Sequence, residues 1–184
     1  SRDWSSDVCS SDLLDFGSQY TQLIARRLRE LSVYSEVVPF STPLEKIRAK
    51  RPAGIILSGG PKSVSDEGAP KCDRAVFDLE VPVLGICYGM QLMTDTLGGE
   101  VRRSGQREFG HAIVTAASDA RAARLFDGLP PTLRVWACHG DDVAAVPPGF
   151  TVAATSATAP IAAMQAPDRG LYALLFHPEV VHTD

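Results

Sequence analysis

The 184-residue chain lacks the marks of several protein classes. No apolar run approaches the roughly 18 residues of a membrane-spanning helix, so no membrane partner is expected. There is no basic excess. Eighteen Lys and Arg stand against 22 Asp and Glu, a formal charge of −4 that argues against a nucleic-acid surface. No C-x-x-C pair occurs among Cys9, Cys72, Cys87 and Cys138. Neither a zinc ribbon nor a disulfide framework is therefore expected, no metal site is read, and a reducing, cytoplasmic setting fits. Internal repeats and a linker that would split the chain are also missing. The composition that remains, 45% hydrophobic and 22% charged, is that of one globular domain with a sizeable core.

Residues 1–12 carry five Ser and three Asp, with no apolar period of 2 or 3.6 and no signal-peptide core. They read as a leader, either a cloning or assembly scar in place of a native first strand or a disordered tail. Residues 13–184 are then the domain, truncated at both ends, because the chain also stops abruptly at Val180-Val181-His182-Thr183-Asp184. From Leu13 on, apolar runs alternate with amphipathic stretches. Strands are expected at 34–40, 54–58 and 81–86, and helices at 20–31, 44–50, 70–79 and 89–97. This alternation predicts an α/β fold: an open, mostly parallel twisted sheet with helices on both faces. The second half reads as strands at 100–104, 109–115, 133–138, 150–156, 161–165 and 171–176, a mixed or antiparallel extension of that sheet.

Gly85-Ile86-Cys87-Tyr88-Gly89 lies between a predicted strand and a predicted helix. A nucleophile on such a tight turn needs small residues two positions to either side, where a Cβ has no room. The turn also sets the sulfur at a helix N-terminus, whose partial positive charge favours the thiolate. Most free cysteines are structural; the flanking glycines set Cys87 apart from Cys72 and Cys138. Phe176-His177-Pro178-Glu179 follows another apolar run. In extended chain, His177 and Glu179 face the same side, so the carboxylate can orient the imidazole. Strand C-termini of an open α/β sheet share one edge, which would bring His177 to Cys87.

Ser58-Gly59-Gly60-Pro61 ends a third strand. Its glycines let backbone N–H groups approach a developing oxyanion, with the Tyr88 N–H as the natural second donor. An ordinary turn is the plain alternative. A phosphate-cradling S-G-G-x-D-S loop is disfavoured, since Lys62 stands where that loop needs Asp and Pro61 lacks an N–H. Val135 to Asp142 ends in His139-Gly140-Asp141 at the same predicted edge, making His139 a rival general base. His111 and His182 have no partner pattern and read as structural.

The Gly85–Gln91 block, Ser58-Gly59-Gly60-Pro61 and His177-Pro178-Glu179 resemble the three signature blocks of class I glutamine amidotransferases. Leu14-Asp15-Phe16-Gly17-Ser18-Gln19-Tyr20 and His177-Pro178-Glu179-Val180-Val181-His182-Thr183 resemble, more narrowly, the glutaminase domains of GMP synthases. The resemblance implies Cys87 as nucleophile, His177 as proton carrier, Glu179 as its orienting carboxylate, and Gly60 and Tyr88 as oxyanion hole. It also implies substrate contacts from Gly59, Gln91, Cys138, His139 and Asp141. L-glutamine would give glutamate and ammonia without a cofactor in this domain. ATP and Mg would act in a separate ATP-pyrophosphatase partner that aminates XMP to GMP. An amidotransferase subunit of anthranilate synthase, a γ-glutamyl hydrolase and a catalytically idle regulatory module are the other readings. The chain departs from the family pattern at Leu175, where Gln is usual, and at Ala137-Cys138, where Met-Ser is common.

Overall fold

Alternating apolar runs and amphipathic stretches build the first half of the computed structural model, which describes residues 10–119 and 124–184. Strand β1 (Ser10–Asp15) leads to helix α1 (Thr21–Glu30), strand β2 (Tyr34–Pro39) and helix α2 (Leu44–Lys50). Strand β3 (Gly54–Leu57), strand β4 (Val83–Ile86) and helix α3 (Tyr88–Thr96) follow. β1 pairs in parallel with both β2 and β3, and β3 pairs in parallel with β4.

Alternation of side chains along these strands feeds two apolar layers. Leu13, Ile56 and Ile86 pack with Ile24 and Ala25 of α1 on one face. Leu14, Ile55 and Leu57 pack with Ile47 of α2 and Tyr88, Met90, Leu92 and Met93 of α3 on the other. Leu13, Leu14 and Leu57 are fully buried, as strands covered on both faces require. On α1 the apolar stripe turns inward while Gln22, Arg26, Arg29 and Glu30 face solvent. The Arg26–Glu30 and Arg27–Glu30 ion pairs on that outer surface contribute little to stability.

Strands dominate the second half: β5 (Glu100–Ala116), β6 (Thr132–Ala145), β7 (Thr151–Ser156), β8 (Ala163–Ala166) and β9 (Leu171–Leu174). Among the described residues one nine-stranded sheet forms, in the order β2-β1-β3-β4-β9-β8-β7-β5-β6. β9 lies parallel to β4 and antiparallel to β8, so it joins the parallel half to the antiparallel half. The expected open sheet with helices on both faces and a mixed extension is thus what forms.

Three local expectations change. Ser10, Ser11 and Asp12, assigned to the leader by composition, form the first half of β1 and pair with Tyr34 to Glu36 of β2. The rest of the leader, residues 1–9, lies outside the described residues. Residues 70–79 contain only a short 3-10 turn, Arg74–Asp78, whose first N–H groups are met by the Asp73 carboxylate (Ala75 N–H to Oδ1, 2.9 Å). The strands expected at 100–104 and 109–115 are one strand whose register with β6 slips between Arg103 and Glu108.

Candidate active site

The end of β4 passes into α3 through a single residue, Cys87, at φ 52° and ψ −105°. A side chain held there costs about 1–3 kcal/mol in backbone strain. The surroundings enforce it. The Cys87 N–H donates to the Leu174 carbonyl (2.8 Å), and the Cys87 carbonyl accepts from Met90 and Gln91 (3.0 and 3.1 Å). A Cβ on Gly85 would lie 2.7 Å from the Gly89 carbonyl, and one on Gly89 would lie 2.4 Å from the Leu57 carbonyl oxygen. The small residues either side of Cys87 are therefore a packing requirement, as their spacing suggested.

His177 follows β9 by a few residues and is pinned through its backbone. Its N–H donates to the Trp136 carbonyl (3.0 Å), and its carbonyl accepts from the Thr183 hydroxyl (2.6 Å). The His177 Nδ1 lies 2.8 Å from Glu179 Oε1, and both side chains are buried. The Glu179 backbone carbonyl accepts from Arg27 Nε of α1 (3.0 Å), and Tyr20 sets its ring edge-on to the imidazole (5.1 Å between centroids). Burial pulls the His177 pKa down. Hydrogen bonds to Cys87 and Glu179, together with their charges, outweigh burial and push it up to about 10. His177 is thus an imidazolium at neutral pH, clamped between a carboxylate and the Cys87 sulfur.

Cys87 opens onto two neighbouring cavities. One, about 290 Å³, is lined by Ser18, Tyr20, Gly60, Cys138 and His177 among others. The second, about 470 Å³, is lined by Gly60, Gln91, Arg103, Cys138, His139 and Asp141 among others. Gly59 fits beneath Cys87 and His177: a Cβ there would lie 3.2 Å from His177 Cε1 and 3.7 Å from Cys87 Cβ. Gly60 is squeezed between the Phe16 carbonyl and the Tyr88 ring, at 2.8 and 3.2 Å from such a Cβ. Tyr88 is the first residue of α3, so its N–H has no partner within the helix.

Gln91 donates from its side-chain amide to the Asp141 backbone carbonyl (3.0 Å), tying α3 to β6. Asp141 is buried in the wall of the larger cavity, and its Oδ2 has no hydrogen-bond partner among the described residues. His139 has its charged partners outside the Cys87–His177–Glu179 group. Its ring sits between Glu108 Oε2 (3.1 Å) and Asp142 Oδ1 (3.4 Å). The rival base is thereby engaged elsewhere, although it still lines the larger cavity. His111 and His182 both pack edge-on or tilted against Trp136, as structural residues would.

Residues 12–184 match the family model of class I glutamine amidotransferases. The chain belongs to the class I glutamine amidotransferases. Relatives of this amidotransferase include the glutamine-hydrolysing GMP synthases of Thermobifida fusca and Carboxydothermus hydrogenoformans. They are 54% and 55% identical over 94% and 93% of this chain. The chain spans about a third of the length of these relatives (32% and 33%). Among solved structures, a Thermoplasma acidophilum protein described as one subunit of a GMP synthase is 32% identical. Its TM-score is 0.81, over 97% of this chain and 88% of that one. A glutamine amidotransferase of Thermotoga maritima superposes with a TM-score of 0.71 at 25% identity, over 94% and 76%.

Four residues join this site to which the sequence patterns assign no role in it: Tyr20, Arg27, Glu108 and Thr183. By helical periodicity Tyr20 reads as a core-facing residue and Arg27 as part of a solvated face. The signal that could have found Tyr20 and Thr183 is their place in the two blocks that resemble the glutaminase domains of GMP synthases.

Proposed function

We propose that this chain hydrolyses L-glutamine to glutamate and ammonia. The observation that carries this reading is the strained Cys87 elbow opening onto a cavity lined by His177, whose Nδ1 lies 2.8 Å from the buried Glu179 carboxylate. The Cys87 thiolate attacks the side-chain amide carbon. The oxyanion that develops is met by the N–H groups of Gly60 and Tyr88, and one such donor is worth about 3 kcal/mol in a protease. His177 gives its proton to the departing ammonia and leaves a thioester on Cys87. It then takes a proton from water, whose attack releases glutamate and restores the thiolate. Glu179 holds the imidazole in its tautomer and balances its charge. Gly59 lets the substrate chain lie close to the sheet. Asp141, whose buried Oδ2 lacks a hydrogen-bond partner among the described residues, meets the substrate ammonium, while Gln91, Cys138 and His139 shape the same wall.

The reaction takes no cofactor in this domain. Its ammonia passes to an ATP-pyrophosphatase domain or subunit that uses ATP and Mg to aminate XMP to GMP. The threefold greater length of the GMP synthase relatives supports this partner. Among the described residues no helix is long and apolar enough to cross a membrane. Cys72, Cys87 and Cys138 are unbridged, which supports a reducing, cytoplasmic setting. The test is glutamate release from glutamine by the chain and by Cys87→Ala. Release is expected to vanish in the variant; equal rates would remove Cys87 from the mechanism. With the synthetase partner, XMP and ATP added, GMP formation separates this reading from anthranilate synthase and hydrolase chemistry.

A further inference from the structure

Cys138 stands beside the nucleophile in a way that the hydrolytic reaction does not use. Trp136 of β6 bridges directly to His177, so their side chains share one side of the sheet. Cys138, two residues along the same strand, stands on that side as well. The Cys87 Sγ lies 3.4 Å from the Cys138 carbonyl oxygen, and both cysteines line both cavities of the site. Cys138 is only half-buried, so it remains reachable from those cavities.

We propose that Cys87 and Cys138 form a reversible oxidation site, in which Cys138 is the thiol that resolves an oxidised Cys87. The inference rests on the reading of Cys87 as the reactive thiol. The oxidant is hydrogen peroxide. The Cys87 thiolate attacks one peroxide oxygen, the O–O bond breaks, and the leaving hydroxide takes the proton of the His177 imidazolium to become water. Cys87 is then a sulfenic acid. The now neutral His177 takes the Cys138 thiol proton, the Cys138 thiolate attacks the Cys87 sulfur, the S–O bond breaks, and the hydroxyl departs with that proton as water. Two thiols lose two electrons and one peroxide becomes two waters. Burial first, and then the nearby Cys87 charge, raise the Cys138 pKa in the reduced site, so Cys138 keeps its proton until oxidation has removed the Cys87 charge. The disulfide removes the nucleophile and seals the cavity, and a dithiol restores both. A neighbouring resolving thiol also keeps the sulfenic acid from advancing to irreversible sulfinic acid.

The test treats the chain with hydrogen peroxide, blocks remaining thiols with iodoacetamide and maps the peptides by mass spectrometry. A linked Cys87–Cys138 peptide pair, about 2 Da lighter than the two thiol peptides, is expected. Dithiothreitol should abolish the link and return glutaminase activity to its untreated level. In Cys138→Ser, compared with its own untreated rate, peroxide should cause a loss that dithiothreitol does not reverse, with sulfinic acid at Cys87. Sulfinic acid at Cys87 with a free Cys138 in the unaltered chain overturns the proposal, as does a bridge through Cys72. Mapping the unaltered chain decides the matter even if Cys138→Ser fails to fold. The link is read by mass whether or not glutamine is hydrolysed, so a failed glutaminase assignment and a failed oxidation site give different results.

Discussion

Replacing Gly89 by Ala puts a methyl group where the fold has backbone. The new Cβ would meet the Leu57 carbonyl oxygen at 2.4 Å, the Leu57 Cβ at 2.8 Å and its carbonyl carbon at 3.0 Å. Relief requires α3 to lift off β3 by about 1 Å. That motion drags Tyr88, Met90, Leu92 and Met93 out of the larger apolar layer. Overpacking in cores costs about 1–3 kcal/mol, and a clash with backbone belongs at or above the top of that range. For a chain of this size about 3 kcal/mol lowers the melting temperature by roughly 6–12 °C. Gly59→Ala is the matched control. Its Cβ meets only side chains, His177 Cε1 at 3.2 Å and the Ser18 hydroxyl at 3.4 Å. It should cost less than about 1 kcal/mol in stability. By pushing the imidazole away from Cys87 it should nonetheless slow glutamine hydrolysis by about tenfold or more. Urea unfolding and glutamate release measured on both variants separate the two effects. A Gly89→Ala chain as stable as the parent would refute the packing account of the elbow.

The remaining predictions concern charge. Glu179→Gln replaces the charged, acceptor-only carboxylate at the His177 Nδ1 by a neutral amide that can also donate, so the tautomer is no longer fixed and kcat should fall by about 10⁴-fold, the loss seen when a triad carboxylate becomes an amide. In the same variant an NMR titration should find the His177 pKa well below the parent's value of about 10. Because folding raises this pKa above 6.5, its contribution to stability is full below about pH 6.5 and is lost as pH climbs towards 10. The urea midpoint should accordingly decline between pH 7 and 10 in the parent, and a flat profile there would contradict the imidazolium assignment. Asp141→Asn should raise KM for glutamine while leaving kcat nearly intact, since its buried Oδ2 is assigned to substrate binding. A kcat loss with unchanged KM would move Asp141 into the chemical step.

Much of this is legible in the sequence because the informative signals are local. Gly85, Cys87 and Gly89 lie within one turn of chain, so the motif is visible at once even though Gly89 is demanded by the Leu57 carbonyl of β3. Gly54–Leu57 and Val83–Ile86 read as strands because burial on both faces leaves an unbroken apolar run. The 70–79 stretch misleads because its apolar residues suit a helix. Pro70 and the Asp73 cap, however, start the turn late, and only Val76 and Phe77 are buried. Ser10 to Asp12 mislead in the opposite way: parallel pairing with β2 and β3 holds strand backbone whatever the composition. Arg27 and Glu108 are invisible as site residues because their partners lie far along the chain. Arg27 reaches Glu179 and Glu108 reaches His139, contacts that no spacing rule encodes.

The central place of β9 also governs the order in which the molecule can assemble. β1 to β4 can pair as they leave the ribosome, and the β5–β6 hairpin can form from near neighbours in sequence. Until residues 171–174 are made, however, β4 presents Val83 to Ile86 as an open, apolar edge in the middle of the future sheet. The strand that covers this edge is also the one that delivers His177 and Glu179 to Cys87. Closing the sheet and bringing the His177–Glu179 pair to the Cys87 thiol are therefore one event, which a nascent chain cannot complete before its last residues are made.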